Sequence, residues 1–213
     1  MKTIRWMGDS TTIGATVLPG EKWLVAPDNT MATATRLLKE KFGESAISSF
    51  NDGASSSAII DWYAGSAATP NKPLMPSLAQ RMTTPEYQAM SIGVLEIGIN
   101  DATKSTTTAD FGWYLQKIRE TFNQHGKTLV IATPNPINHP NLPQLHNLQI
   151  AIKSFASWFS VPLIDHYGTI ISMPNWRSLM ADNGHPTNTL YSVKGALAAC
   201  TLDGLISPIP LHT

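Results

Sequence analysis

Strand-like and helix-like segments alternate about five times along this chain, and no other feature limits its possible folds so tightly. Residues 4–7 form a short apolar run that ends at Gly8 and reads as a first strand. Residues 30–42 place Met31, Ala34, Leu37, Leu38 and Phe42 near helical spacing, with Asp28 or Asn29 to cap the helix and Gly43 to end it. A second strand over 46–50 leads through Asn51-Asp52-Gly53 into a helix from about Ser55 to Tyr63. A third strand over 91–97 precedes a helix over 111–122, with Tyr114, Leu115, Ile118 and Phe122 on one face. Residues 128–133 (Thr-Leu-Val-Ile-Ala-Thr) are β-branched and apolar, as in a strand buried on both faces. A helix over 145–159, a fifth strand over 161–165 and a closing helix over 189–202 complete the series. The expectation is an α/β fold: a three-layer α/β/α sandwich around a mainly parallel five-stranded sheet.

With 213 residues, 42% of them hydrophobic, a full core can be buried, and a single domain over 1–213 is expected. In parallel sheets reactive groups sit on loops beyond the carboxyl ends of the strands, so chemistry is sought there. After the first strand comes Gly8-Asp9-Ser10, after the second Gly53, and after the third Gly98-Ile99-Asn100-Asp101. Near the end stands Asp182-Asn183-Gly184-His185-Pro186. A serine hydroxyl needs a neighbouring base to become a nucleophile, and His185 is the natural candidate. Asp182, three residues earlier, can reach the imidazole across one tight turn, fix its tautomer and stabilise the imidazolium.

These four pieces, in this order and on these loops, resemble the SGNH hydrolases, the GDSL-type esterase and lipase superfamily. The resemblance spans the chain from Gly8 to the closing helix. It implies a Ser10–His185–Asp182 triad working through an acyl-enzyme. It also implies an oxyanion hole made by the Ser10 N–H, the Gly53 N–H and the Asn100 side-chain amide. Two departures stand out. The glycine of Asp182-Asn183-Gly184-His185 is one position later than in the common Asp-Gly-x-His form, and Leu190 stands where many members carry glycine. Asp9 and Asp101 are read as structural, and Glu96 interrupts an otherwise apolar strand.

Composition narrows the partners. Fifteen basic and fifteen acidic residues give zero formal net charge, and no Lys/Arg cluster is present, which weighs against nucleic acid. No run of about 18 apolar residues suggests a membrane span. The chain opens without the apolar run of a secretory signal, leaving cytoplasmic, exported and virion-associated locations open. Cys200, the single cysteine, excludes an intrachain disulfide and reads as a buried helix residue. No metal or other cofactor is expected. His139 and His146 read as solvated loop residues.

The substrate expected is a small O-acyl ester, with acetylated carbohydrate favoured by a polar, low-charge composition and by aromatic residues such as Trp62, Tyr63 and Trp176. The alternatives are a lysophospholipase or acyl-thioesterase on the same triad, or a non-catalytic carbohydrate-binding module of the same fold. Two long connections, 64–90 and 134–143, are candidate substrate-facing walls.

Overall fold

The structure, a computed structural model, describes residues 1–17 and 23–207. Five strands, β1 (Lys2–Gly8), β2 (Ile47–Asn51), β3 (Ile92–Glu96), β4 (Thr128–Ala132) and β5 (Leu163–Ile164), form one sheet in the order β2-β1-β3-β4-β5. Every adjacent pair is parallel. The four longest helices are α1 (Thr30–Phe42), α2 (Thr108–Gln124), α3 (Leu142–Phe159) and α4 (Asn188–Ile206). The expected α/β architecture is present.

Period-two alternation assigns each strand residue to one of two cores. Ile4, Trp6, Ile92, Val94, Val130 and Ala132 face the layer of α1 and α4, where Leu38, Ala198 and Leu202 meet them. Met7, Leu95, Leu129 and Ile131 face the opposite layer, against Leu115, Phe122, Leu145 and Ile152 of α2 and α3. Both faces of the central strands are therefore dry, which is why they read as continuous apolar runs. Asn29 caps α1 by accepting from Ala32 N at 3.0 Å, and Gly43 ends it with a φ of 97°. Both are the residues that the capping rules pick out.

Three local expectations are corrected. The helix after β2 spans Ile59–Ala64, not 55–63, because Ala54 to Ser57 close a turn first (Ser57 N to Ala54 O, 3.2 Å). Connection 64–90, read as a candidate wall with little periodicity, holds local structure that this reading missed: the short helices Leu78–Met82 and Pro85–Gln88. Cys200 lies on α4 as expected but is exposed, since α4 turns Ala198, Ala199 and Leu202 inward and leaves position 200 on the solvent face. Among the described residues no helix is long and apolar enough to cross a membrane.

The strand order reverses direction between β1 and β3, and a crevice opens beyond the carboxyl ends of strands at such a switch point. Ser10 follows β1 and Asn100 follows β3. The topology therefore brings these two loops together although 90 positions separate them.

Candidate active site

Gly8 ends β1 so close to β3 that a Cβ there would collide with the Glu96 carbonyl oxygen and with Thr12 Oγ1. Only glycine permits this approach. The chain then turns into a one-turn helix, Ser10–Ile13, capped by the buried Asp9, whose Oδ1 accepts from Thr11 N and Thr11 Oγ1, both at 2.8 Å. Ser10 is the first residue of that helix, and its N–H has no intrahelical acceptor.

The Asp182 to His185 turn is built around one carboxylate oxygen. Asp182 Oδ1 accepts from Gly184 N and His185 N, each at 2.7 Å, while both its oxygens lie within 2.9 Å of His185 Nδ1. On the far side of the ring, His185 Nε2 lies 2.9 Å from Ser10 Oγ. Three residues picked out from sequence thus stand in a continuous hydrogen-bonded chain. Burial would raise the Asp182 pKa, but the two backbone donors and the bond to His185 outweigh it and hold the carboxyl below its ordinary value.

A cleft of about 790 Å³ opens over Ser10, His185 and Asn100. Asn100 Nδ2 donates to Ser57 O at 3.0 Å, which spends one of its two hydrogens and leaves the other. Asp101 is fully buried, and both its oxygens accept from Ile59 N (3.1 and 3.2 Å), stitching the β3 loop to the β2 loop.

Gly53 does not fit the role expected of it. Its N–H already donates to Asn51 Oδ1 at 3.0 Å, and it lies outside the cleft lining. Glycine is required there because a Cβ would meet Ile13 N at 2.7 Å. Ser55 and Ser56 line the cleft instead, and among the described residues neither N–H has an acceptor. Ser56, the third residue of the Ala54–Ser57 turn, holds a φ of 58°, a left-handed value that glycine adopts most readily. A serine in a glycine-type conformation, three positions after the glycine, carries no local sequence signal.

The aromatic expectations also change. Trp62 and Trp176 are buried in the protein, and Tyr63 packs on Trp113 and Tyr114. None of the three lines the cleft; Trp23 does. It is 57% exposed, and its ring meets His185 edge-on with centroids 4.1 Å apart. Part of the lining comes from the first long connection, with Thr69, Asn71 and Lys72. Among the described residues no cluster of three or more His, Cys, Asp or Glu is placed to hold a metal ion.

A model of the GDSL-like lipase/acylhydrolase family matches residues 6–193. The chain belongs to that family. With its family it is a carboxylic ester hydrolase. A lipase/acylhydrolase from Enterococcus faecalis superposes with a TM-score of 0.71 at 20% identity, over 98% of this chain and 99% of that one. An acetylxylan esterase from Geobacillus stearothermophilus gives 0.67 at 15% identity, covering 98% and 95%. A further acetyl xylan esterase gives 0.70 at 15% identity, covering 96% and 100%. No curated protein is significantly similar in sequence.

Three buried carboxyls near the site give an expectation for stability against pH. Burial pushes Asp9 up to about 6 and Asp101 up to about 7. Between the ordinary value near 3.8 and these raised values the folded chain holds more protons than the unfolded one, so stability falls as pH rises through that window. For Glu96 burial acts upward, but Lys194 and His166 beside it bring the carboxyl down to about 2. Its contribution is present above its ordinary 4.5 and is lost below. The melting temperature is therefore expected to peak near pH 4, roughly where these trends cross, and to decline toward pH 7.5. Asp9→Asn, neutral at every pH, should flatten that decline. A melting temperature rising steadily from pH 5 to 8 would show that both carboxyls are ionised in the fold.

Proposed function

We propose that this chain is a serine esterase that removes small acyl groups, acetyl above all, from carbohydrate hydroxyls. The observation that carries the reading is the unbroken line from Ser10 Oγ to His185 Nε2 (2.9 Å) and from His185 Nδ1 to Asp182 Oδ2 (2.8 Å), at the floor of an open cleft. In this reading His185 takes the Ser10 proton as Oγ attacks the ester carbonyl, and Asp182 stabilises the resulting imidazolium. The oxyanion is held by the Ser10 N–H, the Asn100 Nδ2–H and, in place of Gly53, the Ser56 N–H. Collapse of the tetrahedral intermediate returns the proton to the departing alcohol and leaves the acyl group on Ser10. Water then repeats the sequence and frees the acid.

Two features support a sugar as the alcohol. The cleft lining sets the hydroxyls of Ser55, Ser56 and Thr69 and the amides of Asn71 and Asn100 beside Pro70 and Pro73, and among the described residues contains no Leu, Ile, Val, Met or Phe. Trp23 offers a largely exposed indole beside the base, a surface on which a sugar ring can stack. Two of the structural neighbours are acetyl xylan esterases, which fits the same chemistry.

A panel of p-nitrophenyl esters from acetate to laurate, beside an acetylated xylo-oligosaccharide, tests this. Acetate should have the highest kcat/KM among the simple esters, and a steady rise toward laurate would replace the reading with a lipid or acyl-thioester hydrolase. Trp23→Ala should lower kcat/KM for the acetylated sugar about 10-fold relative to ethyl acetate, the scale of one aromatic stacking contact. An unchanged ratio would remove Trp23 from substrate binding. Asn100→Ala should cost about 100- to 1000-fold in kcat with little change in KM, because its hydrogen bond strengthens as charge develops on the oxygen. A rise in KM alone would make Asn100 a ground-state contact.

A further inference from the structure

Glu96, the charge that interrupts β3, does not face the cleft. Alternation along β3 puts Ile92, Val94 and Glu96 on the side covered by α1 and α4, and there Glu96 meets Lys194 of α4. The Lys194 side chain is wholly buried; its Nζ donates to Glu96 Oε1 at 2.5 Å and to Asn135 Oδ1 at 3.1 Å. His166 closes the group, with Nδ1 3.3 Å from Glu96 Oε2 and Nε2 3.3 Å from the Lys194 carbonyl oxygen. A buried ion pair is a poor source of stability, because desolvation of both charges offsets their attraction and an apolar pair can do as well. This pair differs from an apolar one in what it can orient.

An asparagine amide has nearly the same shape with its oxygen and nitrogen exchanged. The Lys194 cation selects the oxygen end of Asn135, so Nδ2 points the other way and donates to Gly184 O at 3.1 Å and to Pro136 O at 3.0 Å. Gly184 lies inside the Asp182–His185 turn. On the other side Glu96 Oε1 lies 3.4 Å from Thr11 Oγ1, next to Ser10 and bonded to the Asp9 cap. The same ion pair thus reaches the turn that carries the base through Asn135 and the turn that carries the nucleophile through Glu96 and Thr11.

We propose that Lys194 is a positioning residue, holding the His185 turn in register with the Ser10 turn through Asn135 and Glu96. It rests on the reading of Ser10 and His185 as nucleophile and base. Removing Lys194 alone would strand a buried carboxylate, so the pair is removed together as Glu96→Gln/Lys194→Met, beside Asn135→Ala and the triple variant. Three quantities are measured below the melting temperature of each: kcat and KM on p-nitrophenyl acetate, and the rate of Ser10 phosphonylation by a fluorophosphonate. In the paired variant and in Asn135→Ala, kcat and phosphonylation should fall together by about 10- to 100-fold, the scale of a misplaced reacting group, with KM within about twofold. The triple variant should be no worse than about threefold below the slower of these, since all act on one contact.

Folded variants that melt earlier yet keep both rates would give Lys194 a purely structural role and overturn the proposal. Fully multiplicative losses would overturn the route through Asn135. Asn135→Ala leaves the ion pair in place and decides the matter alone if the paired variant does not fold. A wild-type chain that hydrolyses no ester and is not labelled at Ser10 would instead overturn the underlying esterase reading, an outcome distinct from a reactive wild type with equally reactive variants.

Discussion

Ser10→Ala and His185→Ala should each lower kcat by about four to six orders of magnitude, and the double variant should be little worse than either. In the mechanism proposed above the two side chains act as one unit: Oγ is nucleophilic only while Nε2, 2.9 Å away, takes its proton. Whatever rate remains comes from the oxyanion donors and from binding, which neither substitution touches. The measurement is kcat on p-nitrophenyl acetate for the four proteins, with fluorophosphonate labelling located by peptide mass. Labelling at Ser55 or Ser56, which line the same cleft, with loss of activity would move the nucleophile to the neighbouring loop. Two large losses that multiply would separate the residues into independent roles.

Asp182→Asn is expected to be nearly as severe, at about 10⁴-fold in kcat, with the fold intact. The amide oxygen can still accept from Gly184 N and His185 N, so the turn persists. Its NH₂ then faces His185 Nδ1, and that nitrogen can no longer donate. The ring is held in the tautomer that carries its proton on Nε2, where it cannot take one from Ser10. Asp182→Ala removes the acceptor as well, opening the turn, and should melt at lower temperature than Asp182→Asn. Kinetics and thermal melts of the two variants separate orientation of the base from construction of its turn. An Asn variant within tenfold of wild type would mean that another group orients His185.

Much of this molecule is written locally. Hydrophobic period distinguishes the strands from the long helices, and capping chemistry marks α1 from Asn29 to Gly43. Gly8-Asp9-Ser10 and Asp182 to His185 are readable because each is one turn whose residues contact their own neighbours. The loop proposed to hold the oxyanion was less legible. Gly53 looks like a donor in sequence, but its N–H is spent on Asn51 Oδ1, and the open N–H groups belong to Ser55 and Ser56 in the turn that follows. Gly53 itself lies close against Ile13, a contact between loops 40 positions apart that leaves no room for a Cβ.

The sequence by itself determined the order of elements, the parallel sheet they must form and the loops that carry Ser10, Asn100, Asp182 and His185, because periodicity, caps and turns are short-range properties of the backbone. Only the tertiary structure decided which distant groups meet. It placed Trp23 rather than Trp62 or Trp176 beside His185, and turned Cys200 outward on α4. It also buried Lys194 against Glu96, 98 positions away. Glu96, the charge that interrupts the apolar third strand, was the local hint of that pair. The physical reason is that a side chain's partner is set by the register of strands and the rotation of helices about a shared core, and both are fixed only when all the layers pack at once.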